Sequence, residues 1–302
     1  MRETKNLFCP QINVLNSWRR KSLNQPDCRG SMRTLQAVLS MFFLLISVGY
    51  SEIHYLRIPS NALVDSTNII IATPSDFNVK HPGGYPFILM LHGWDGDQTQ
   101  WAKDADLQSL ADEHDMLLIL PDGGYDGWWQ DTDLLPGRNY DTHIHQELKS
   151  WVISNFNGSS NTARHGVMGL SMGGYGAFLQ VFLHPEDYAA ASALSGVMDL
   201  SERTEKWGLK LALGDYKENE ARWRARNPVD MVNTLDAGVI PPLQLICGRD
   251  DFVFTDNKVM ANRLKAGGFS IEFLEEEGRH SHDFWKTHVN TSIAFLVSHF
   301  GD

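Results

Sequence analysis

"HGVMGLSMGGYGAFLQ", residues 165–180, decides the fold. Its first part, "HGVMGLS", is a short apolar run of strand type, and "GYGAFLQVFLHP" (174–185) carries helical spacing up to a stop at Pro185. Ser171 stands between them in Gly169-Leu170-Ser171-Met172-Gly173. A turn needs fewer glycines and a helix favours none, so their density at this junction has another cause. G-x-S-x-G between a strand and a helix is a nucleophile elbow: the serine takes a strained turn conformation, and small neighbours let strand and helix approach it closely. The three matching residues alone recur by chance in roughly one chain in ten of this length. The apolar strand before and the helix after give the pattern its weight.

Outward from this junction the chain alternates. "IHYLRI" (53–58) and "NIIIATP" (68–74) read as two antiparallel opening strands. "PFILMLHG" (86–93) is a continuous apolar run, the mark of a strand buried on both faces. Strands follow at 116–124, 188–196, 242–251 and 270–278, separated by helices at 107–115, 143–156, 255–268 and 283–300. This alternation predicts a mostly parallel central sheet covered by helices on both faces, a three-layer αβα sandwich, and the serine elbow within it points to the α/β-hydrolase fold. The polar segment 199–235, with Trp207 and Trp223, breaks the rhythm and is expected as an insertion above the sheet.

A serine hydroxyl needs a histidine to take its proton, and that imidazole needs an acid to orient it. On this fold they follow the serine in the order acid, then histidine, each just past a strand. "CGRDDF" offers Asp250 and Asp251, with Asp251 preferred and Asp250 a solvated neighbour. "EEEGRHSHDFW" offers His280 and His282, with His280 preferred as catalytic and His282 as a helix-entry or pocket residue. The oxyanion of an acyl-transfer reaction needs backbone donors. Met172 N–H, directly after the serine, is one expected donor, and Trp94 N–H in "LMLHGWDGD" is the other; His92 is expected as a buried residue that shapes this loop. Among the many tryptophans, "GYDGWWQD" with Trp128 and Trp129 is the best candidate for an aromatic pocket wall, joined by His282 and Trp285. "HIH" (143–145) is a poor metal site, because residues i and i+2 of a helix face apart. No metal or other cofactor is expected.

The same blocks resemble the esterase D / antigen 85 branch of the α/β-hydrolases, which includes tributyrin esterase-like enzymes. "GLSMGGYGAF" is similar to that family's nucleophile segment and "LMLHGWDGDQTQW" to its oxyanion segment; "LPDGG", "QELKSWV", "HPEDYAAASALSG", "CGRDDF" and "GRHSHDFW" follow in the family's order. The resemblance spans about residues 65–298 and implies a serine ester hydrolase with Ser171, Asp251 and His280 as triad. His282 departs from it, since relatives often carry an aromatic residue there. Small acyl or aryl esters, free or linked to polysaccharide, are the implied substrates. Alternatives within the family are an S-formylglutathione hydrolase-like thioesterase and a feruloyl or acetyl-xylan esterase. A serine peptidase, or an inactive binding module on the same fold, would be a different class.

Composition narrows the partners. The 302 residues carry a net charge of −11, which disfavours nucleic acid. Residues 1–50 differ from the rest: seven Lys/Arg against two acids, then the uncharged apolar run "LQAVLSMFFLLISVGYS" from Leu35. The run is short for a membrane span and suits a signal-peptide core or signal anchor, so 1–50 is expected as an export segment and 51–302 as the esterase domain. The protein is then exported, periplasmic or secreted, and touches a membrane only if that segment stays attached. Cys247 is the one cysteine beyond it and is expected as a small buried apolar residue on a strand.

Overall fold

The computed structural model describes residues 53–301; the export segment expected at 1–50 lies outside them. An antiparallel pair, β1 (Ile53–Ser60) and β2 (Asp65–Ala72), opens the sheet, as the two short runs predicted. The next strands are β3 (Phe87–Leu91), β4 (Leu117–Pro121), β5 (His165–Leu170), β6 (Ala190–Leu194), β7 (Leu243–Gly248) and β8 (Ile271–Glu276). The sheet runs β1-β2-β4-β3-β5-β6-β7-β8, antiparallel across β1, β2 and β4 and parallel from β4 onward. Every residue of β3, β4, β5, β6 and β7 is buried, because both faces of the sheet are covered.

One face packs on α1 (Gln100–Asp104), α2 (Leu107–His114) and the last helix, through Trp101, Leu110, Trp285, Ile293 and Leu296. The other face packs on α3, which spans Tyr140–Thr142, His143–Leu148 and Lys149–Phe156, and on α4 (Met172–Leu183). The segment after β6 forms three short helices, α5 (Leu209–Leu213), α6 (Glu220–Arg224) and α7 (Pro228–Met231). They are the expected insertion. α8 (Phe254–Ala266) and α9 (His282–Val297) complete the chain. Asp106 caps α2 by accepting from Ser109 N–H, and Ser281 caps α9 by accepting from Phe284 N–H. The protein therefore has the three-layer α/β-hydrolase fold.

The expected helix at 143–156 starts earlier, at Tyr140, and its stretch His143–Leu148 is wound as a π-helix. Polar ties to the end of α4 accompany this wide turn. Asp141 binds His184 Nε2 and Gln180 Nε2, and Asp187 binds His145 and Lys149. Among the described residues no helix is long and apolar enough to cross a membrane.

Candidate active site

Ser171 sits between the C-terminal end of β5 and the first turn of α4 with φ 53° and ψ −114°, a region that non-glycine residues avoid. The flanking glycines make this turn possible. A Cβ on Gly169 would lie 2.2 Å from Gly173 O, and a Cβ on Gly173 would lie 2.1 Å from Leu91 O and 2.6 Å from His92 O. The end of β3 and the start of α4 thus touch backbone to backbone, which brings the loop after β3 beside the serine.

His280 Nε2 lies 2.9 Å from Ser171 Oγ, and His280 Nδ1 lies 2.9 and 3.0 Å from the two carboxylate oxygens of Asp251. An ionised carboxylate only accepts hydrogen bonds, so Nδ1 carries the proton and Nε2 presents its lone pair to the serine hydroxyl. The Asp251 side chain is wholly buried and accepts also from Val253 N–H, whereas Asp250 is exposed. His280 is held between Phe252 (ring centroids 4.4 Å apart) and the indole of Trp285 (5.0 Å, edge to face).

Met172 is the first residue of α4, so its N–H has no acceptor within the helix. Gly93 and Trp94 line the same cavity as Ser171, and a Cβ on Gly93 would be 3.5 Å from Ser171 Cβ. His92 is buried and shapes this loop as expected. Its Nε2 accepts from Gly123 N–H at 2.8 Å, which puts the proton on Nδ1, and that proton goes to Gly93 O at 2.8 Å. Gln100, which the sequence reading passed over, accepts from Gly93 N–H at 2.7 Å and so orients the same turn.

A cavity of about 330 Å³ opens over the serine, at the small end of ligand sites. Ser171, Trp94, Trp128, His280, His282 and Trp285 all line it. Trp207, Val197 and Phe252 also line it, beyond the residues singled out from the sequence: Trp207 and Val197 come from the chain after β6, and no local pattern says where that chain lies. Trp129 is a correction. It is fully buried behind the cavity, packed on Gly176 and Gly123, and its Nε1–H goes to His92 O. Trp128 is equally buried, but it lines the cavity and Trp129 does not; both residues have φ 52°. Trp101 and Trp223 are likewise core residues. Among the described residues, four of the ten non-glycine residues with positive φ, namely Asp95, Trp128, Ser171 and Trp207, line the cavity, so backbone strain is concentrated there.

Behind this wall Arg203 lies over the rings of Trp207 and Phe252 and pairs with Asp256 at 2.7 Å. Burial pushes the Asp256 carboxyl up to about 6, against the pull of Arg203. Cys247 is buried on β7, and burial pushes its thiol up. His145, His184 and Asp187 bring ligand atoms within 4.8 Å of one another, away from the cavity. They are a poor metal cage. Lys149 already occupies Asp187, and the two imidazoles stack at 3.7 Å and 6°, so their lone pairs run parallel rather than converge.

A mostly parallel sheet with a serine elbow at the end of a central strand defines the α/β-hydrolase class. Solved structures share this fold. Staphylococcus aureus FphF, a fluorophosphonate-binding serine hydrolase, superposes with a TM-score of 0.72 at 22% identity, covering 82% of this chain and 98% of that one. An S-formylglutathione hydrolase from Agrobacterium tumefaciens gives 0.73 at 18% identity, over 84% and 97%. Residues 60–240 match the family model described as "Putative esterase", and the chain belongs to that family. An acetyl esterase of Caldicellulosiruptor saccharolyticus is 23% identical over 220 residues, 69% of this chain and 82% of that protein. The protein is a carboxylic ester hydrolase.

Proposed function

We propose that this enzyme hydrolyses small acyl or aryl esters through Ser171, His280 and Asp251 by way of an acyl-enzyme. The observation that carries the reading is the unbroken relay from Ser171 Oγ through His280 to the buried Asp251. His280 Nε2 takes the hydroxyl proton as Oγ bonds to the ester carbonyl carbon. The resulting oxyanion faces the N–H groups of Met172 and Trp94. When the C–O bond to the alcohol breaks, His280 returns the proton to the leaving oxygen. Water then attacks the acyl-serine, again giving a proton to His280, and the acid departs as Oγ regains its proton.

The apolar lining of Leu170, Val197, Trp128 and Trp207 supports a short acyl chain or a flat ring, and the cavity volume supports a small one. The relative from Caldicellulosiruptor saccharolyticus is an acetyl esterase, which is consistent with the short-acyl reading. The basic residues before Leu35 and the uncharged run after it support an exported enzyme, which favours extracellular esters over a cytosolic thioester.

Hydrolysis of p-nitrophenyl acetate, butyrate and octanoate by the full chain tests the reading. Turnover should fall from acetate to octanoate. Ser171→Ala and His280→Ala should each lose roughly 10⁴-fold or more in kcat. Activity surviving in Ser171→Ala, or a folded wild type inert on all three esters, would remove the proposal.

A further inference from the structure

The cavity holds a second imidazole–carboxylate pair. His282 Nδ1 lies 2.7 Å from Asp104 Oδ2. The two residues are far apart in the chain: Asp104 ends α1, and His282 begins α9. The Asp104 side chain is 6% exposed and the His282 side chain 57% exposed, so a buried carboxylate holds an imidazole at the cavity rim. The ring also meets the edge of Trp285 at 5.1 Å, and Trp285 in turn donates its Nε1–H to Ser195 Oγ at 3.1 Å. His282 is therefore oriented from two sides.

This pair takes no part in the relay described above, because His280 is already paired with Asp251. It is also more than a solvated surface contact. A buried carboxylate is costly unless a partner meets it, and here the partner lines the substrate cavity. As with His280, the carboxylate fixes the proton on Nδ1, so neutral His282 has Nε2 left as a hydrogen-bond acceptor.

The lining divides by contact. Trp128, Trp207 and Phe252 form one linked aromatic group, through the Trp128 Nε1–H to Trp207 O bond and the Trp207–Phe252 ring contact. The polar side chains of the lining include His282, Ser281, Asp95 and Gln100, the last on the same helix as Asp104. An ester has an acyl part and an alcohol part. An apolar group suits the acyl part. A fixed acceptor suits an alcohol that keeps a free hydroxyl after esterification.

We propose that His282, held by Asp104, binds a second, unesterified hydroxyl on the alcohol portion of the substrate, so that the enzyme favours esters of polyhydroxylated alcohols, of which sugars are one class. Asp104 is then a positioning residue that acts through His282. The proposal rests on the esterase reading of Ser171.

The test compares glycerol monoacetate with ethyl acetate by titration of released acid: the acyl group is the same, and only one alcohol carries neighbouring hydroxyls. In the wild type, kcat/KM should favour the glycerol ester. In His282→Phe and Asp104→Asn that preference should fall roughly ten-fold, about the worth of one hydrogen bond, and the fall should appear in KM for the glycerol ester more than in kcat. His282→Gln, which returns a polar atom near Nε2, should recover part of it. An equal fall on both esters, or an unchanged preference in both variants, would overturn the proposal. Failure of the underlying reading looks different: the wild type would hydrolyse neither ester and would not be labelled at Ser171 by a fluorophosphonate probe.

Discussion

Two imidazoles line one cavity, and the environment of each decides what it can do. His280 is 17% exposed in its side chain and its partner Asp251 is at zero, so in the proposed mechanism an imidazolium at His280 would be balanced by a carboxylate that water cannot screen. Asp251→Asn would remove that charge and let the amide, rather than the ring, set the hydrogen bond. The Nδ1 proton then loses its reason to stay on Nδ1, and the tautomer with Nε2–H cannot accept from Ser171. The expected result is a drop in kcat of about 10⁴-fold with little change in thermal stability, read by steady-state kinetics beside a melting curve. A drop of only a few-fold would mean that Asp251 does not set the tautomer. That Asp251 and His280, rather than Asp250 and His282, would be the pair joined to Ser171 by hydrogen bonds was legible in the sequence, from strand ends that narrowed each choice to two residues and from the resemblance's Gly-x-x-Asp and Gly-x-His spacing. The partnership of His282 was not. Asp104 lies 178 positions away, on a helix too short to announce itself, and only the packing of α9 against α1 brings them together.

At the scale of elements, the site depends on how closely three pieces of backbone can approach: the end of β3, the end of β5 and the start of α4. Continuous apolar runs made these strands readable, since a strand buried on both faces has no polar alternation to confuse it. The cap was not readable in the same way. The helices of the insertion after β6 are four or five residues long, and Trp207 within it and Val197 just before it owe their positions to contacts with Trp128 and Ser171 rather than to any repeat. The glycines show where the tolerance is smallest. A Cβ on Gly173 would meet two backbone carbonyl oxygens, which cannot rotate away as a side chain would. Gly173→Ala should therefore separate α4 from the loop that carries Trp94. The expected loss is roughly 1–3 kcal/mol of stability, or several degrees in Tm, together with a fall in kcat as the N–H groups proposed to hold the oxyanion, those of Met172 and Trp94, move apart. Gly238→Ala is the contrast. Its nearest neighbour is an Asp236 side-chain atom at 3.3 Å, its φ is ordinary, and both stability and kcat should hold or improve slightly. Equal behaviour of the two variants in melting and kinetics would refute the backbone-approach argument.

For the whole molecule, acid is the condition that tests the fold most directly, and the strand that leads into Ser171 begins with the relevant group. His165 is 2% exposed, donates Nε2–H to Ser159 O at 2.8 Å, and stacks on Phe87 with ring centroids 4.0 Å apart. Burial lowers its pKa from 6.5 to about 4, more than its hydrogen bond to Ser159 raises it. The folded protein thus keeps His165 neutral where an unfolded chain would already be protonated. The stability that follows is fully present above about pH 6.5. It is lost as the pH falls toward 4, because the unfolded state gains a proton that the native state refuses. Over that window the loss from this residue is on the order of 3 kcal/mol. His143 adds to it in the same direction, since burial lowers its pKa too, against the opposing pull of Glu147. Urea unfolding of the wild type and of His165→Gln at pH 7, 5.5 and 4.5 measures the term: glutamine can still donate to Ser159 but cannot titrate. The wild type should lose stability more steeply by up to one proton's worth, about 1.4 kcal/mol per pH unit within the window, while the two curves run parallel above pH 7. Parallel curves at all three pH values would mean that His165 takes its proton in the folded state, and that the base of the nucleophile strand yields to water more readily than its packing implies.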